Sequence, residues 1–248
     1  MRRIAPFLSL AVALLASFPV RAEGELVADL SEHLVAITTG FSGAKVLLFG
    51  ATDGPGDVIM VVRGPSESPV VRRKDNSTGI WMNQDHVTFQ GAPSFYQIAA
   101  SRPLADFAPP DILENHQIGI ENVRLDVSEQ TADATRLEDF RNSFLRLKQN
   151  AGLFGKELAS IDILGNRLFR ANLNFPSNVP VGAYSVEVYL VREGQVVSAE
   201  ITPLHISKAG VGAEVSQFAY DYAAFYGIIS VLIAVAAGWL ASAFFRRA

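Results

Sequence analysis

Residues 45–62 read KVLLFGATDGPGDVIMVV, and this stretch decides the fold class. It contains two short apolar runs, at residues 45–49 and 58–62, separated by a strong turn signal of Gly, Pro and Asp at residues 52–57. Uninterrupted apolar runs of this length are typical of strands covered on both faces, or of strands at a domain or membrane-proximal interface. The stretch therefore predicts two β-strands joined by a turn, each covered on both faces or lying at such an interface.

More strands are predicted downstream of this pair. Residues 69–72 predict an edge strand, because Pro69 lacks a ladder donor. Residues 80–89 and 95–100 complete six or seven short strands separated by turns. This regularity favours a β-sandwich-like, Ig-like region over residues 23–103.

The middle of the chain is predicted to be helical. Pro109 and Pro110 favour a short helix that runs to His116. Residues 131–150 predict a longer helix, with Gly152 as its stop. Thr135 and Glu138 fit a capping box at its start, with an earlier start as the alternative. Its apolar face comes from residues that recur at spacings of three and four, namely Leu137, Phe140, Phe144 and Leu147.

Strands return in the last part of the predicted ectodomain. Alternate residues of 183–191 share one apolar face, and Glu193-Gly194 predicts a hairpin turn. The return strand, residues 196–206, is expected to be interrupted near Pro203. We therefore expect residues 104–215 to form a helical segment with a second, smaller sheet, so that the whole chain is mainly β with some α.

The two ends of the chain are hydrophobic. Arg2 and Arg3, the apolar residues 4–18 and the V-R-A sequence at 20–22 predict a cleaved signal peptide over residues 1–22, with an uncleaved anchor as the alternative. Residues 220–245 predict a single transmembrane helix, because no charged residue occurs between Asp221 and Arg246.

The charges that flank this helix predict its orientation. Arg246 and Arg247 follow it in a short tail, residues 246–248, whereas Glu214 and Asp221 precede it. Since basic residues stay on the cytoplasmic side, we expect a single-pass protein of the bacterial inner membrane with a periplasmic N-terminal domain and a cytoplasmic C-terminus. The predicted signal peptide gives the same orientation.

Composition excludes several functions. The chain has no cysteine, which excludes disulfides, thiolate zinc sites and cysteine nucleophiles. Five arginines lie in the two ends, which leaves 16 basic residues against all 25 acidic residues between them, or a charge of roughly −9 for the predicted ectodomain. Such a surface repels phosphate backbones, so we expect no nucleic-acid partner.

No catalytic, cofactor or metal site is predicted. The four histidines are not spaced as local ligand pairs, and they are His33, His86, His116 and His205. A metal site assembled in space, with Met82, Asp85 or His86 as contributors, is the alternative. Ser42 lies in a half-formed nucleophile elbow at residues 40–44, but a predicted strand follows where an elbow needs a helix.

Several exposed or aromatic features have ordinary interpretations. Asp53 and Asp57 most simply form a solvated turn, with calcium binding as the alternative. The basic run at residues 72–74 predicts a solvated loop, with the docking of a partner or an anionic ligand as the alternative. Three aromatic residues of this region are expected in the core, with a ligand platform as the alternative, namely Trp81, Phe95 and Tyr96.

The predicted membrane helix carries a stripe of small residues on one face. The stripe consists of Ser230, Ala234, Gly238 and Ser242, which recur every four residues. Small residues at this spacing let two helices approach closely in a bilayer. We expect this stripe to contact a partner helix or a second copy of the chain.

The chain resembles the alphaproteobacterial putative transmembrane protein family, whose function is uncharacterised. The resemblance rests on TTGFSG at residues 38–43, LFGA at 48–51, VVRGP at 61–65 and GIWMN at 79–83. It covers nearly the whole chain and implies no catalytic residues. The resemblance also implies an accessory role beside a sulfite-exporter-type permease.

Three functions follow from these patterns. The leading one is a membrane-anchored, non-enzymatic binding or accessory module, in contact with the lipid bilayer and with a polytopic transporter or a second copy. The first alternative is a periplasmic hydrolase or metal-dependent enzyme that would use Ser42, Asp85 and His86. The second alternative is a structural envelope protein, which should self-associate without another component.

Overall fold

A computed structural model describes residues 26–77, 79–127, 134–210 and 218–245. The expected signal peptide at 1–22 and tail at 246–248 lie outside these residues. The chain is mostly β with few helices, as predicted. Its elements are β1 (Leu26–Leu30), β2 (Leu34–Ile37), β3 (Gly43–Thr52), β4 (Asp57–Arg63), β5 (Ser66–Glu67), β6 (Val70–Ser77), β7 (Ile80–Gln90), β8 (Ala92–Pro93), β9 (Tyr96–Ala100), α1 (Pro110–Asn115), β10 (Asp126–Val127), α2 (Ala134–Asn150), β11 (Ala159–Ser160), β12 (Asp162–Leu164), β13 (Leu168–Pro176), β14 (Gly182–Arg192), β15 (Gln195–Lys208) and α3 (Ala223–Phe245).

Two sheets enclose the first hydrophobic core. The larger has six strands in the order β11-β9-β4-β14-β15-β2, and the smaller has four in the order β1-β3-β13-β12. Val58, Met60 and Val62 of β4 contribute to this core together with Val46 and Leu48 of β3. Because side chains alternate along a strand, every second residue of β4 reaches it.

A second core covers the opposite face of the six-stranded sheet. Ile59 and Val61 of β4 belong to it, and Phe140 and Phe144 bring in helix α2. Residues 58–62 of β4 are all fully buried, each at 0–1% exposure. The prediction that this run is covered on both faces is therefore confirmed.

Strand β3 differs from β4 and corrects the prediction for residues 45–49. Val46 and Leu48 are buried, but Leu47 and Phe49 are 36% and 44% exposed on the outer face of the four-stranded sheet. The apolar run of β3 is thus covered on one face only. The reason is topological: β3 lies in the outer layer, whereas β4 lies between the first core and the helices.

The late strands do not form the separate second sheet that we expected. Strand β13 pairs with β3, from Leu168 opposite Ala51 to Pro176 opposite Gly43. Strand β14 pairs with β4, from Ser185 opposite Arg63 to Val191 opposite Asp57. Strands from both sides of the expected boundary at residue 103 therefore complete the same two sheets. Strand β13 covers an edge of β3, and β14 covers an edge of β4, which would otherwise be unpaired.

The hairpin between β14 and β15 is confirmed at its turn. Glu193 and Gly194 have φ angles of 51° and 71°, which is the geometry of a two-residue type I′ turn. Strand β15 runs without interruption from Gln195 to Lys208, so the expected break near Pro203 is wrong. Strand β2 pairs with β15 only from residue 205 onward, so within the described ranges the edge beside Pro203 has no ladder partner.

Helix α1 begins at Pro110 as predicted, and α2 ends at the predicted glycine. Gly152 has a φ of 71°, its N–H donates to Gln149 O, and the N–H of Leu153 donates to Lys148 O, which together form a Schellman motif. Thr135 lies inside the helix, which agrees with the alternative of an earlier start and not with Thr135 as the cap. Residues 131–133 of the predicted helix lie outside the described residues.

The apolar face of α2 is shifted by comparison with the prediction. Phe140 and Phe144 are buried, but Leu147 is 58% exposed and Leu145 is buried instead. Lys148 continues the buried stripe, with its ammonium 5.7 Å from the ring centroid of Phe144 and paired with a carboxylate on β5. A long lysine stem can occupy an apolar stripe when its charge finds a partner.

Strands β6 and β7 form a hairpin in a three-stranded sheet of order β10-β7-β6. Strand β6 is at the edge, as residues 69–72 predicted. Trp81 was expected in the core with Phe95 and Tyr96, but it is 68% exposed near the end of the hairpin, whereas Phe95 and Tyr96 are 3% and 1% exposed. Phe95 belongs to the first core and Tyr96 to the second, whereas Trp81 belongs to neither.

Helix α3 matches the predicted membrane span. Residues 223–242 have a mean hydropathy of 2.1, and none of this stretch is buried against the rest of the described chain. It is the one helix among the described residues that is long and apolar enough to cross a bilayer. Such a helix is stable in lipid, because its backbone hydrogen bonds are satisfied internally.

Candidate functional site

The Arg63 pocket is an open cavity of about 490 Å³ at the end of β4. It is lined by a charged, hydrogen-bonded group of side chains and by the segment that follows helix α1. We define the pocket by five of its lining residues, namely Arg63, His116, Ser185, Glu187 and Tyr189.

Strand alternation places three of these residues together. Ser185, Glu187 and Tyr189 occupy every second position of β14 and so project from the same face. Ser185 pairs with Arg63 across the β4–β14 ladder. This is the face covered by the second core, but the pocket lies where that cover ends and where Arg63 and Glu187 are 20% and 14% exposed.

Arg63 and Glu187 form a half-buried ion pair. Tyr189 Oη donates a hydrogen bond of 2.6 Å to Glu187 Oε2, and Ser185 Oγ donates one of 3.3 Å to Glu187 Oε1. Glu187 therefore accepts three hydrogen bonds, which satisfy a carboxylate that burial would otherwise disfavour.

Arg63 also fixes the segment after α1. Its Nη2 donates to the carbonyl oxygens of His116 at 2.6 Å and Gln117 at 3.3 Å. Tyr96 Oη donates to the same Gln117 oxygen at 2.8 Å and accepts a hydrogen bond of 2.9 Å from Gly119 N. Gln117 has a φ of 51°, a left-handed conformation that is unfavourable for this residue and that these hydrogen bonds hold in place.

The pKa values of these groups follow from this geometry. Burial by itself would raise the pKa of Glu187, but the hydrogen bonds from Arg63 and Tyr189 outweigh it and hold that pKa below its ordinary value. Burial, together with the hydrogen bond to Glu187 and its negative charge, raises the pKa of Tyr189 to about 12. At neutral pH the pocket therefore contains an ionised carboxylate and a protonated tyrosine.

The arrangement favours hydrogen bonding rather than nucleophilic chemistry. Ser185 Oγ donates to a carboxylate whose lowered pKa makes it a weak base, and no imidazole is recorded within hydrogen-bond distance of Ser185 among the described residues. The His116 ring packs against Tyr189 at a centroid distance of 4.8 Å. Within the described chain, the pocket can hold a small polar molecule but has no activated nucleophile.

The residues of the alternative enzyme hypothesis are not brought together. Ser42 is exposed and precedes β3 in the four-stranded sheet, whereas Asp85 and His86 lie on β7 in the three-stranded sheet. Asp85 faces Arg136 at 3.6 Å. No group of three or more His, Cys, Asp or Glu residues within 26–77, 79–127, 134–210 and 218–245 could hold a metal ion.

The aspartates of the turn after β3 are paired with arginines. Asp57 accepts two hydrogen bonds of 2.7 Å from Arg102, and Asp53 pairs with Arg192. Carboxylates satisfied in this way are poor calcium ligands, so the solvated-turn interpretation is favoured.

Sequence reasoning missed the Arg63 pocket, since its residues come from distant parts of the chain. Arg63 belongs to the VVRGP motif at residues 61–65, where a charged residue ends a fully buried strand. Glu187 is a carboxylate within an alternating apolar strand. A charge at the end of one buried run and an opposite charge within another could have suggested a pair, but not which strands lie side by side.

The comparison with protein families decides the classification. The model of the family described as "Putative transmembrane protein (Alph_Pro_TM)" matches residues 25–247, which is most of the chain. The chain belongs to this family. The family match agrees with α3, the apolar helix found among the described residues, and makes this protein a membrane protein. No curated protein matches the chain.

Proposed function

We propose that this Alph_Pro_TM protein is a non-enzymatic accessory module, anchored in the bacterial inner membrane by α3 and with its β-rich domain in the periplasm. The observation that carries the proposal is α3 itself, which is apolar and unburied within the described chain. The Arg63 pocket adds a site for a polar molecule without a nucleophile. The flanking charges support the orientation, with Arg246 and Arg247 after the helix and Asp221 before it.

The stripe of small residues supports a partner in the membrane. Ser230, Ala234, Gly238 and Ser242 lie on one side of α3, and Ser230 Oγ donates to Tyr226 O of its own helix at 2.8 Å, so its hydroxyl needs no lipid-buried partner. The four side chains of the stripe are small, and small residues on one side of a membrane helix let a second helix approach closely.

The partner that we propose is a polytopic membrane protein, with a sulfite-exporter-type permease as the first to be tested because the family resemblance implies it. Purification of the intact protein from its native membrane in mild detergent should bring the partner down. Recovery of a monomer without any partner, at native expression, would contradict the accessory role. Recovery of a homo-oligomer without any other protein would support a structural, self-associating protein instead.

A pair of variants tests the stripe directly. Gly238→Ile should reduce in-membrane crosslinking to the partner, because the added side chain separates the two helices. Ala236→Ile places the same side chain on the opposite face of α3 and should leave crosslinking unchanged. Equal crosslinking of both variants would exclude the stripe as the contact.

A further inference from the structure

The distal half of the β6–β7 hairpin has no ladder partner outside the hairpin within the described chain, and Arg73 at its base contacts helix α2. We call residues 72–76 and 79–84 the arm. Among the described residues, β6 pairs only with β7, and the other edge of β7 pairs with β10 at Phe89 and Gln90, beyond the arm. All residues of the arm are exposed. At about 3.3 Å per residue, the arm is roughly 20 Å long.

Three consecutive large apolar side chains lie at the distal end of the arm. Ile80, Trp81 and Met82 are 65%, 68% and 49% exposed. Their cross-strand neighbours are polar, so the three side chains do not form an apolar stack within the hairpin. Exposed apolar side chains that cluster in this way mark an interaction site.

The two faces of the hairpin distinguish between lipid and protein as the occupant. Ile80 and Met82 project from one face and Trp81 from the other, because side chains alternate along a strand. A protein surface would cover one face of this narrow ribbon and leave the other in water. A lipid interface surrounds an inserted end on all sides, and the indole ring of Trp81 suits the headgroup region.

The charge of the arm favours an anionic surface. Arg72, Arg73 and Lys74 follow one another beside the apolar end, in a chain with more acidic than basic residues. Arg73 pairs with Asp139 at 3.3 Å. No salt bridge to Arg72 or Lys74 is found among the described residues, which leaves their charges available to anionic headgroups.

The anchor keeps such a surface close to the domain. Fourteen residues separate Lys208 at the end of β15 from Ala223 at the start of α3. Even a fully extended chain of this length spans only about 50 Å. We propose that the arm inserts Ile80, Trp81 and Met82 into the headgroup region of the same bilayer, with Arg72 and Lys74 on anionic lipids. This requires the membrane anchor but not the proposed accessory role.

Tryptophan fluorescence of the full-length protein tests the proposal. The chain has two tryptophans, so Trp239→Phe leaves Trp81 as the reporter and Trp81→Phe leaves Trp239 as a reference within the bilayer. Each variant is reconstituted into vesicles of phosphatidylcholine with phosphatidylglycerol that contain bromine-labelled lipid. We expect bromine to quench Trp81 as well as Trp239, with the near-ultraviolet circular dichroism of the tyrosines unchanged.

Substitutions in the Trp239→Phe background separate the apolar from the charged contribution. Ile80→Ser with Met82→Ser should lower the ratio of inserted to free arm more than about tenfold. Leu168→Ser with Ile201→Ser changes side chains that are 55% and 64% exposed outside the arm and should have no effect. Arg72→Gln with Lys74→Gln should lower the ratio about fivefold per charge with phosphatidylglycerol, and less in phosphatidylcholine alone.

Trp81 that stays unquenched in vesicles with phosphatidylglycerol would overturn the proposal. If Trp81 were nevertheless shielded in native membranes, the arm would dock on a protein rather than on lipid. Equal quenching after Ile80→Ser with Met82→Ser would also overturn it, since contact would then not depend on the apolar end.

Discussion

Strand β4 and helix α3 are both apolar runs, but their surroundings differ completely. Residues 58–62 of β4 are 0–1% exposed, between a sheet on one side and helices on the other. Residues 223–242 of α3 are not buried by any part of the described chain. The β4 run is five residues long and needs protein on both faces, whereas the α3 run is long enough to be covered by lipid alone. Two similarly hydrophobic runs are therefore placed in different surroundings, one inside the protein and one in lipid. The length of each run distinguishes the two cases.

The largest expected effect tests this contrast with one substitution in each region. Ile59→Ala should lower the free energy of unfolding of the β-rich domain by about 2–5 kcal/mol, because it leaves a cavity in a packed core. Ile233→Ala, at a side chain that is 63% exposed within the chain, should change it by less than about 0.5 kcal/mol. Denaturant titration of the full chain in mild detergent, followed by near-ultraviolet circular dichroism, measures both. A large loss from Ile233→Ala would mean that α3 packs on the domain.

The next effect concerns the charged end of β4. Glu187→Gln should cost about 2–3 kcal/mol at neutral pH, since it leaves Arg63 half-buried without its counter-ion. The same titration measures this loss, and Glu200→Gln, at an exposed position of β15, is the control. An equal loss from both variants would show that the Arg63–Glu187 pair is not specifically stabilising.

The same pair gives a pH dependence. The pKa of Glu187 is lowered in the folded protein, so its contribution is complete above the unfolded value near 4.5 and is lost as the pH falls through the folded value. The stability of the wild type should therefore decline more steeply below about pH 4.5 than that of Glu187→Gln. Parallel declines would contradict the lowered pKa.

A smaller effect compares two glycines. Gly152→Ala should destabilise the domain by about 1 kcal/mol, because its φ of 71° is unfavourable for a residue with a Cβ. Gly238→Ala, inside α3, should not destabilise the domain, since alanine favours helix. Thermal unfolding of both variants in the same detergent compares them, and an unaffected Gly152→Ala would exclude strain at the Schellman motif.

The smallest effect concerns the arm, which contains a third apolar run. The described chain does not bury this run, and the run is too short to form a membrane-spanning helix. Ile80→Ala should change the free energy of unfolding by less than about 0.5 kcal/mol, because this side chain is 65% exposed. Denaturant titration in detergent, beside Ile59→Ala, measures it. A loss comparable to that of Ile59→Ala would show that the arm packs against the domain in solution.

The turn and the helix ends were predicted well, because they depend on residues that are neighbours along the chain. The turn at Glu193-Gly194, the start of α1 at Pro110 and the end of α2 at Gly152 depend on φ preferences of a few neighbouring residues. The exposure of Phe49 and Trp81 was not predicted, because it depends on which elements lie against each strand. Lys148 replaced Leu147 in the buried stripe for a similar reason, since its carboxylate partner lies on β5.

The candidate site shows the same limit. Arg63, His116 and Glu187 were each visible in the sequence, but they are more than fifty residues apart along the chain, and only the pairing of β14 with β4 brings Arg63 and Glu187 together. The opposite charges could have suggested a pair; the neighbouring strand could not be inferred, since many pairings satisfy the same apolar pattern.

The sequence by itself determined the apolar span predicted at residues 220–245, the mainly β character and the turn at Glu193-Gly194, because each depends on composition or on neighbours along the chain. Only the tertiary structure decided that strands from both halves share two sheets, that β4 is covered on both faces and β3 on one, and that Arg63 meets Glu187. The reason is that strand pairing and burial are set by contacts between residues far apart in the chain.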